Sequence, residues 1–344
     1  MYLQEAWYVA LWSRDLAEKP LARTILGEDV VLYRTDDGVA ALEDRCPHRH
    51  LPLSEGKVVG SAIQCGYHGA EFDRTGKCIR VPSQKAVPPR AKIRAYPAIE
   101  RYGWIWVWTG RPENADEALL PDFSCLTDPR YAAVGATTCV EASYQLLTDN
   151  LLDLSHLGFV HLSTIGNKAQ GDKGTLKTEK TERGVRVTRW VLDAPQPPTT
   201  AKTGLFRPDV NIDRSQIIEY TAPSYVVIHS GSSETGTGVP EGLNQHKQNF
   251  WVLNAATPRD DRRCYYFWAG VRDFAIDNED VSKLIFSQVS EAFEEDKHVL
   301  ERQQKSIAKH GDSWEIAFQA DAGVVEGRRK LKQLIEAEQM AGQG

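Results

Sequence analysis

The sequence predicts an α+β protein in two parts, a β-rich stretch over residues 1–112 and a mixed helical and stranded part over residues 113–344. Three observations carry this. Runs of β-branched and aromatic residues bounded by Gly, Asp or Pro fill the first part. A polar, loop-like stretch opens at Arg111-Pro112-Glu113. Beyond it, further strand-like runs give way to one long segment, Ser282 to Lys309, with apolar Leu284, Phe286, Val289, Phe293 and Leu300, which reads as a helix.

In chain order, Val30-Val31-Leu32-Tyr33 and Val39-Ala40-Ala41-Leu42 are strands joined by the hairpin signal Asp36-Asp37-Gly38. Ala70-Glu71-Phe72 and Cys78-Ile79-Arg80-Val81 flank a second hairpin at Asp73-Arg74-Thr75-Gly76. Trp104-Ile105-Trp106-Val107-Trp108 is a strand entered through Tyr102-Gly103, and alternation puts its tryptophans on one face, as core. In the second part, Val185 to Leu192, Ser224 to Ile228 and Cys264 to Ala269 read as strands, and Ala194-Pro195-Gln196-Pro197-Pro198 as a loop.

The chain is 41% hydrophobic and 26% charged, ordinary for a soluble globular protein, and its net charge of −6 argues against nucleic acid as a partner. No apolar run is long enough to cross a membrane, and the start, Met1-Tyr2-Leu3-Gln4-Glu5, lacks the pattern of a signal peptide. Six cysteines in 344 residues are too sparse for a disulfide scaffold. The expected compartment is a reducing cytoplasm, where clustered Cys and His read as metal ligands.

Two loops interrupt the first part, Cys46-Pro47-His48-Arg49-His50 and Cys65-Gly66-Tyr67-His68-Gly69. Each offers one thiolate and one imidazole, as C-x-H and C-x-x-H. Two cysteines on one iron and two histidines on the other are what a Rieske-type [2Fe–2S] centre needs, so Cys46, His48, Cys65 and His68 are its candidate ligands. His50 competes with His48 and is set aside on spacing. A structural zinc site with two cysteine and two histidine ligands is the alternative, although zinc motifs more often pair Cys with Cys and His with His. Cys78, Cys125, Cys139 and Cys264 have no comparable partner and read as buried thiols.

The stretch Asp149 to His161 sets two histidines among Leu151, Leu152, Leu154, Leu157, Phe159 and Val160. Burying that much polar chemistry is costly unless each group is paired or bound to a metal. His156 and His161 are therefore candidate ligands of an open iron site, the two-histidine half of a set completed by one carboxylate. Five residues apart, they point apart on a regular helix, so a distorted or ended helix is expected there, with a π-bulge as one form. Asp153, three residues before His156, can accept that ring's free N–H. On pattern alone the acids Glu294, Glu295 and Asp296 serve equally as a solvated face or as the source of the carboxylate.

These motifs, with Ala6-Trp7-Tyr8-Val9-Ala10 and Glu100 to Trp108, resemble the oxygenase component of Rieske non-haem iron oxygenases nearly end to end, nearest the branch acting on vanillate, toluenesulfonate and dicamba. Ala70 departs from it, since relatives carry a bulkier residue there. The resemblance implies a helix-grip (START-like) second domain with an antiparallel sheet, and Asp296 as third ligand of Fe(II). It implies a head-to-tail homotrimer in which Asp153 of the next chain links His68 to His156, with Asn150 near the iron. It also implies hydroxylation of a methyl or methoxy carbon on an anionic aromatic compound.

No G-x-G-x-x-G follows a strand and no plant-type ferredoxin motif is present, so electrons are expected from a separate NAD(P)H-dependent flavin or ferredoxin reductase. His229, Asn254, Trp251 and Arg214 are candidate pocket residues, each also readable as structural; Gly231 to Gly242 reads as a loop, and His246, His298 and His310 as surface. The rival classes are a ring-hydroxylating dioxygenase, a non-catalytic Rieske electron carrier and a zinc-stabilised binding module.

Overall fold

The computed structural model describes residues 1–166, 175–311 and 315–342. It divides into two compact units, residues 1–120 with 257–260, and residues 121–256 with 261–344.

The first unit is built from three small sheets. One pairs Trp7–Trp12 with Trp104–Trp108 and that strand with Ala98–Arg101. Its register sets Trp7 against Trp108 and Trp12 against Trp104, with edge-on ring contacts at 5.5 and 5.2 Å. All five residues of Trp104–Trp108 are buried, so both faces of this strand are core, not one as alternation suggested. Both expected hairpins are present, Glu28–Thr35 with Gly38–Glu43 and Glu71–Phe72 with Cys78–Arg80. Cys46, Cys65 and Cys78 lie in one apolar cluster with Leu53, Ile63 and Phe72.

The second unit is a seven-stranded antiparallel sheet carrying helices, as the α+β reading requires. Its strand order is Ala132–Val140, Arg263–Arg272, Gln248–Asp260, Tyr225–Glu234, Ile212–Thr221, Gly184–Ala194 and Thr175–Lys180. Ile212–Thr221 was not visible in the sequence because Arg214 and Gln216 face an interior cavity, which disrupts the usual alternation. Tyr225–Glu234 extends beyond the expected strand and takes in Gly231, so the glycine-rich stretch begins as sheet.

The long helix spans Glu279–His310. Asn278 caps it by accepting from the N–H groups of Asp280 and Val281; Glu279 and Asp280 sit in its first turn and Lys309 and His310 in its last. Its buried face, Ile285, Gln288, Val289, Ala292, Phe293, Asp296 and Leu300, recurs every three or four residues, and Asp296 stands on that stripe.

A C-terminal helix, Ala322–Ala341, was not anticipated. Gly323 and Gly327 lie one turn apart on its inner face. A methyl at Gly323 would meet Val187 at 2.5 Å, and one at Gly327 would meet Leu152 at 3.0 Å, so the helix packs close on the sheet and on the helix Tyr144–Leu152. Arg328 from this helix donates to Asp149 Oδ2 at 2.6 and 2.9 Å. Asp149 is thus a partly buried partner of Arg328. Burial pushes its carboxyl up to about 6, against the pull of Arg328.

Candidate metal centres

The two Cys/His loops are backbone twins. Cys46 N–H donates to Leu51 O at 2.9 Å, and its carbonyl accepts from His50 N–H at 2.9 Å. Cys65 N–H donates to Ala70 O at 2.8 Å, and its carbonyl accepts from Gly69 N–H at 3.0 Å. The fifth residue of each loop is left-handed, His50 at φ 62° and Gly69 at φ 72°. His50 thus occupies the turn position that glycine fills in the other loop. Cys46 and Cys65 are buried, while His48 and His68 are exposed with ring centroids 4.5 Å apart. Burial pushes the Cys46 thiol up; the backbone N–H of His48 counters this, and Cys65 beside it adds to it. Two buried sulfurs beneath two adjacent imidazoles fit a [2Fe–2S] centre with both cysteines on one iron and both histidines on the other.

In the second unit the helix Tyr144–Leu152 stops at Asp153, whose backbone is extended. A 3-10 turn, Leu154–His156, and one short helix, Leu157–Val160, follow, with His161 as its C-cap. The helix therefore breaks before His156 and ends at His161; among these residues no π-bulge is present. His156 Nδ1 lies 2.6 Å from the carbonyl of Asp153. That carbonyl, not the Asp153 carboxylate, is the ring's partner, because the carboxylate accepts from Ser155 N–H and Oγ–H at 2.8 and 2.9 Å.

His161 Nδ1 lies 2.7 Å from Glu295 Oε2, which also accepts from Thr164 at 3.1 Å, while Ser163 donates to the other oxygen. Glu295 is therefore not a solvated acid, although Glu294 is, exposed and paired with Lys297. Asp296 Oδ1 lies 3.0 Å from His161 Nε2, 3.4 Å from His156 Nε2 and 3.1 Å from Asn150 Nδ2, which donates to it. One ligand atom from each of His156, His161 and Asp296 falls within a 4.8 Å set.

Carbonyl and carboxylate oxygens only accept, so the hydrogen-bond network assigns both Nδ1 atoms as N–H. In the neutral rings both Nε2 atoms then present lone pairs to a carboxylate oxygen. Three such atoms repel one another unless a positive charge joins them. The electrostatics of the buried groups point the same way. Burial lowers the pKa of His161, but Asp296 and Glu295 outweigh it and raise the net value; burial raises Asp296, but the two imidazoles bring it down to about 2. A divalent cation fits this donor set, with the two-histidine, one-carboxylate chemistry of non-haem iron sites.

The triad lines an apolar cavity with Leu154, Leu157, Val289 and Phe293. The cavity volume is about 90 Å³, several times the roughly 10–15 Å³ that one water needs and room for a small organic molecule. Of the four candidate pocket residues only Arg214 lines it. Asn254 is buried on Tyr266 and the Val226 carbonyl, while His229 stacks on Trp251 at 4.9 Å away from the cavity. His246 is half-buried, within 3.0 Å of Ser215 Oγ, rather than a surface residue; His298 and His310 are exposed, as expected. Cys78 and Cys264 are buried, Cys125 partly so, and Cys139 is exposed, contrary to expectation. Gln216, Ser232 and Gln248 were missed, as was the role of Glu295 as partner of His161.

Comparison with known proteins places these features in a family. Residues 6–97 match the Rieske [2Fe-2S] domain and residues 140–337 the vanillate O-demethylase oxygenase C-terminal domain. A toluene-4-sulfonate monooxygenase system iron-sulfur subunit of Comamonas testosteroni is 34% identical, with 98% of each chain covered. A vanillate O-demethylase oxygenase subunit from a Pseudomonas strain is 35% identical over 99% of this chain and 97% of its own. The crystal structure of dicamba monooxygenase bound to dicamba superposes with a TM-score of 0.89 at 32% identity, covering 98% of this chain and 99% of that one. With both domains matched and full-length relatives above 30% identity, the chain belongs to the Rieske oxygenase components, oxidoreductases that join a Rieske [2Fe-2S] domain to a vanillate O-demethylase oxygenase C-terminal domain.

Proposed function

We propose that the chain is the oxygenase component of a monooxygenase that hydroxylates a methyl or methoxy carbon of an anionic aromatic compound. In balanced form, R–CH3 + O2 + 2e⁻ + 2H⁺ gives R–CH2OH + H2O. Where the carbon is a methoxy group, the product is a hemiacetal that releases formaldehyde. The observation carrying this reading is the triad of His156, His161 and Asp296 opening on an apolar cavity sized for a small molecule.

In this reading residues 1–112 bear the cluster, on Cys46, Cys65, His48 and His68, and residues 113–344 bear Fe(II), on His156, His161 and Asp296. When bound, these groups supply electron storage and O2 activation. The chain supplies the rest. The Asp153 carbonyl and Glu295 hold the two imidazoles by their N–H groups, so that both lone pairs face one point. Asn150 restrains the Asp296 oxygen. Leu154, Leu157, Val289 and Phe293 keep the cavity dry. Electrons come from a separate NAD(P)H-dependent reductase. The working assembly is a homotrimer in which Asp153 of one chain accepts from a cluster histidine of the next. The setting is a reducing cytoplasm, where Cys46 and Cys65 stay available to the cluster and the other four cysteines stay as thiols.

The test is product analysis with purified protein, a surrogate reductase and NADH over methoxybenzoates and methylbenzenesulfonates. Formaldehyde in step with substrate loss, or a benzylic alcohol without it, is the expected result. A cis-dihydrodiol would replace this reading with ring dioxygenation, and peroxide alone across the panel would remove these substrates.

A further inference from the structure

Among the described residues the cavity is lined by one cation, Arg214, and one carboxylate, Asp296, whose oxygen faces the Nε2 atoms of the triad and accepts from Asn150. Arg214 Nε donates to Ser230 Oγ at 2.8 Å and its Nη1 donates to the Ile165 carbonyl at 3.3 Å. Among the described residues no acid pairs with it. An enclosed guanidinium without a counter-charge is expensive, and burial, with Arg189 nearby, brings its pKa down to about 10. The cost is met when a bound anion supplies the missing charge.

The sheet register shows how the anion is received. Arg214 pairs with Ser232, and Ser232 with Gln248, so these three form one row across three strands. The next row is Gln216, Ser230 and Phe250, and the one after it ends in Ile228 and Val252. All of these residues line the cavity. Gln216 and Gln248 are buried, and among the described residues one amide atom of each, placed as the oxygen, has no hydrogen-bond partner; with the amide turned over, that position offers the cavity an N–H donor. Each row is two residues from the next, roughly 7 Å, so the floor passes from cationic and polar to aliphatic over roughly 13 Å.

The long helix runs the same way. Phe250 and Ile285 both lie against Gly270, while Tyr266 donates to Asn254 and touches the Phe293 ring at 5.0 Å. From Ile285 through Phe293 to Asp296 the helix therefore follows the floor from its polar row toward its apolar end. Arg214 holds the Ile165 carbonyl, and the N–H of the next residue, Gly166, donates to the His161 carbonyl at 3.0 Å, so one short loop joins the guanidinium to the triad.

We propose that Arg214, with Ser232 and Gln248, binds the carboxylate or sulfonate of a single-ring substrate, and that the oxidised carbon lies across the ring from that group. This rests on the proposed function for the identity of the reaction, but the binding can be read separately.

The experiment titrates the holoenzyme with 4-methylbenzenesulfonate, 4-methoxybenzoate, 2-methylbenzenesulfonate and neutral 4-methylanisole, by calorimetry, in wild type, Arg214→Lys and Arg214→Met. Circular dichroism and the cluster absorption show that each variant folds. Expected is a loss of at least 30-fold in affinity for the 4-substituted anion that binds wild type better in Arg214→Met, partial recovery in Arg214→Lys, and a change under 3-fold for 4-methylanisole. Equal losses for anion and neutral arene, no loss, or no binding of either 4-substituted anion to wild type would overturn the subsite. Oxidation of the 2-methyl isomer as fast as the 4-methyl isomer would overturn the orientation. The binding pattern holding while no isomer is oxidised would sink the proposed function and leave the subsite standing.

Discussion

In the proposed iron site, Glu295 would act on the metal without touching it. Its carboxylate accepts a hydrogen bond from His161 Nδ1–H and is itself braced by Thr164 and Ser163. Removing such a partner typically costs 10–100-fold in metal affinity. Glu295→Leu is expected to lose iron from the triad at about 10–100-fold lower chelator concentration than wild type, with Glu295→Gln between them, since an amide oxygen still accepts. Iron analysis after dialysis against graded chelator reads this, and the cluster absorption should not move. Unchanged iron retention would mean that Asp296 and the short helix hold His161 unaided. The sequence did contain one usable sign here. Asp296 falls on the stripe of Ile285, Val289, Phe293 and Leu300, while Glu294 does not, so helical periodicity separates the inward acid from an outward one. Glu295 lies beside the stripe, and only the fold shows its partner.

Among the elements, the C-terminal helix acts on the site from behind. Gly323 and Gly327 let it press on Leu152, and Arg328 holds Asp149, the residue before Asn150. Arg328→Met leaves the Asp149 carboxyl buried without its cation, which drives its pKa further above the unfolded value. A carboxyl with a raised folded pKa favours the folded state at low pH and loses that contribution as pH rises through the folded pKa. The variant should therefore be destabilised more at pH 8 than at pH 5, by about 2 kcal/mol at pH 8, less than the roughly 3–5 kcal/mol of a fully buried pair because Arg328 is partly exposed. Thermal melts at the two pH values check it; an equal loss at both would place the effect in lost packing. This helix escaped notice although Val324, Leu331 and Ile335 recur at helical spacing, and its two glycines weaken propensity where packing needs them. The cluster loops were legible because their ligands lie within one short stretch of chain. The cavity floor was not, since Arg214, Ser232 and Gln248 meet only through strand register.

For the whole molecule the decisive residue is Asp153. Its carboxylate accepts from Ser155 within its own chain, and the proposed trimer would have it also reach a neighbour's cluster histidine. Asparagine keeps the capping bond, so Asp153→Asn should fold and load both centres while electron passage between them fails. A single-turnover experiment on the reduced protein reads this as a cluster that stays reduced in the presence of substrate and O2. Normal oxidation there would refute the bridge. Scattering should give a mass of three times 38.5 kDa if the assembly is the proposed one.

The spacing of the ligands along the chain also sets the order in which the two centres can come into being. Cys46 to His68 leave the ribosome almost together. His161 must wait 135 residues for Asp296, and Asp149 waits 179 for Arg328. At roughly 5–20 residues per second, Asp296 follows His161 by about 7–27 s. For that interval the nascent chain carries two imidazoles able to hold a metal weakly, and nothing to complete the set. On the proposed ligand set iron would be secured only when translation is nearly finished, so a chain stalled or clipped before the long helix would keep the means to store an electron and lack the means to spend it on oxygen.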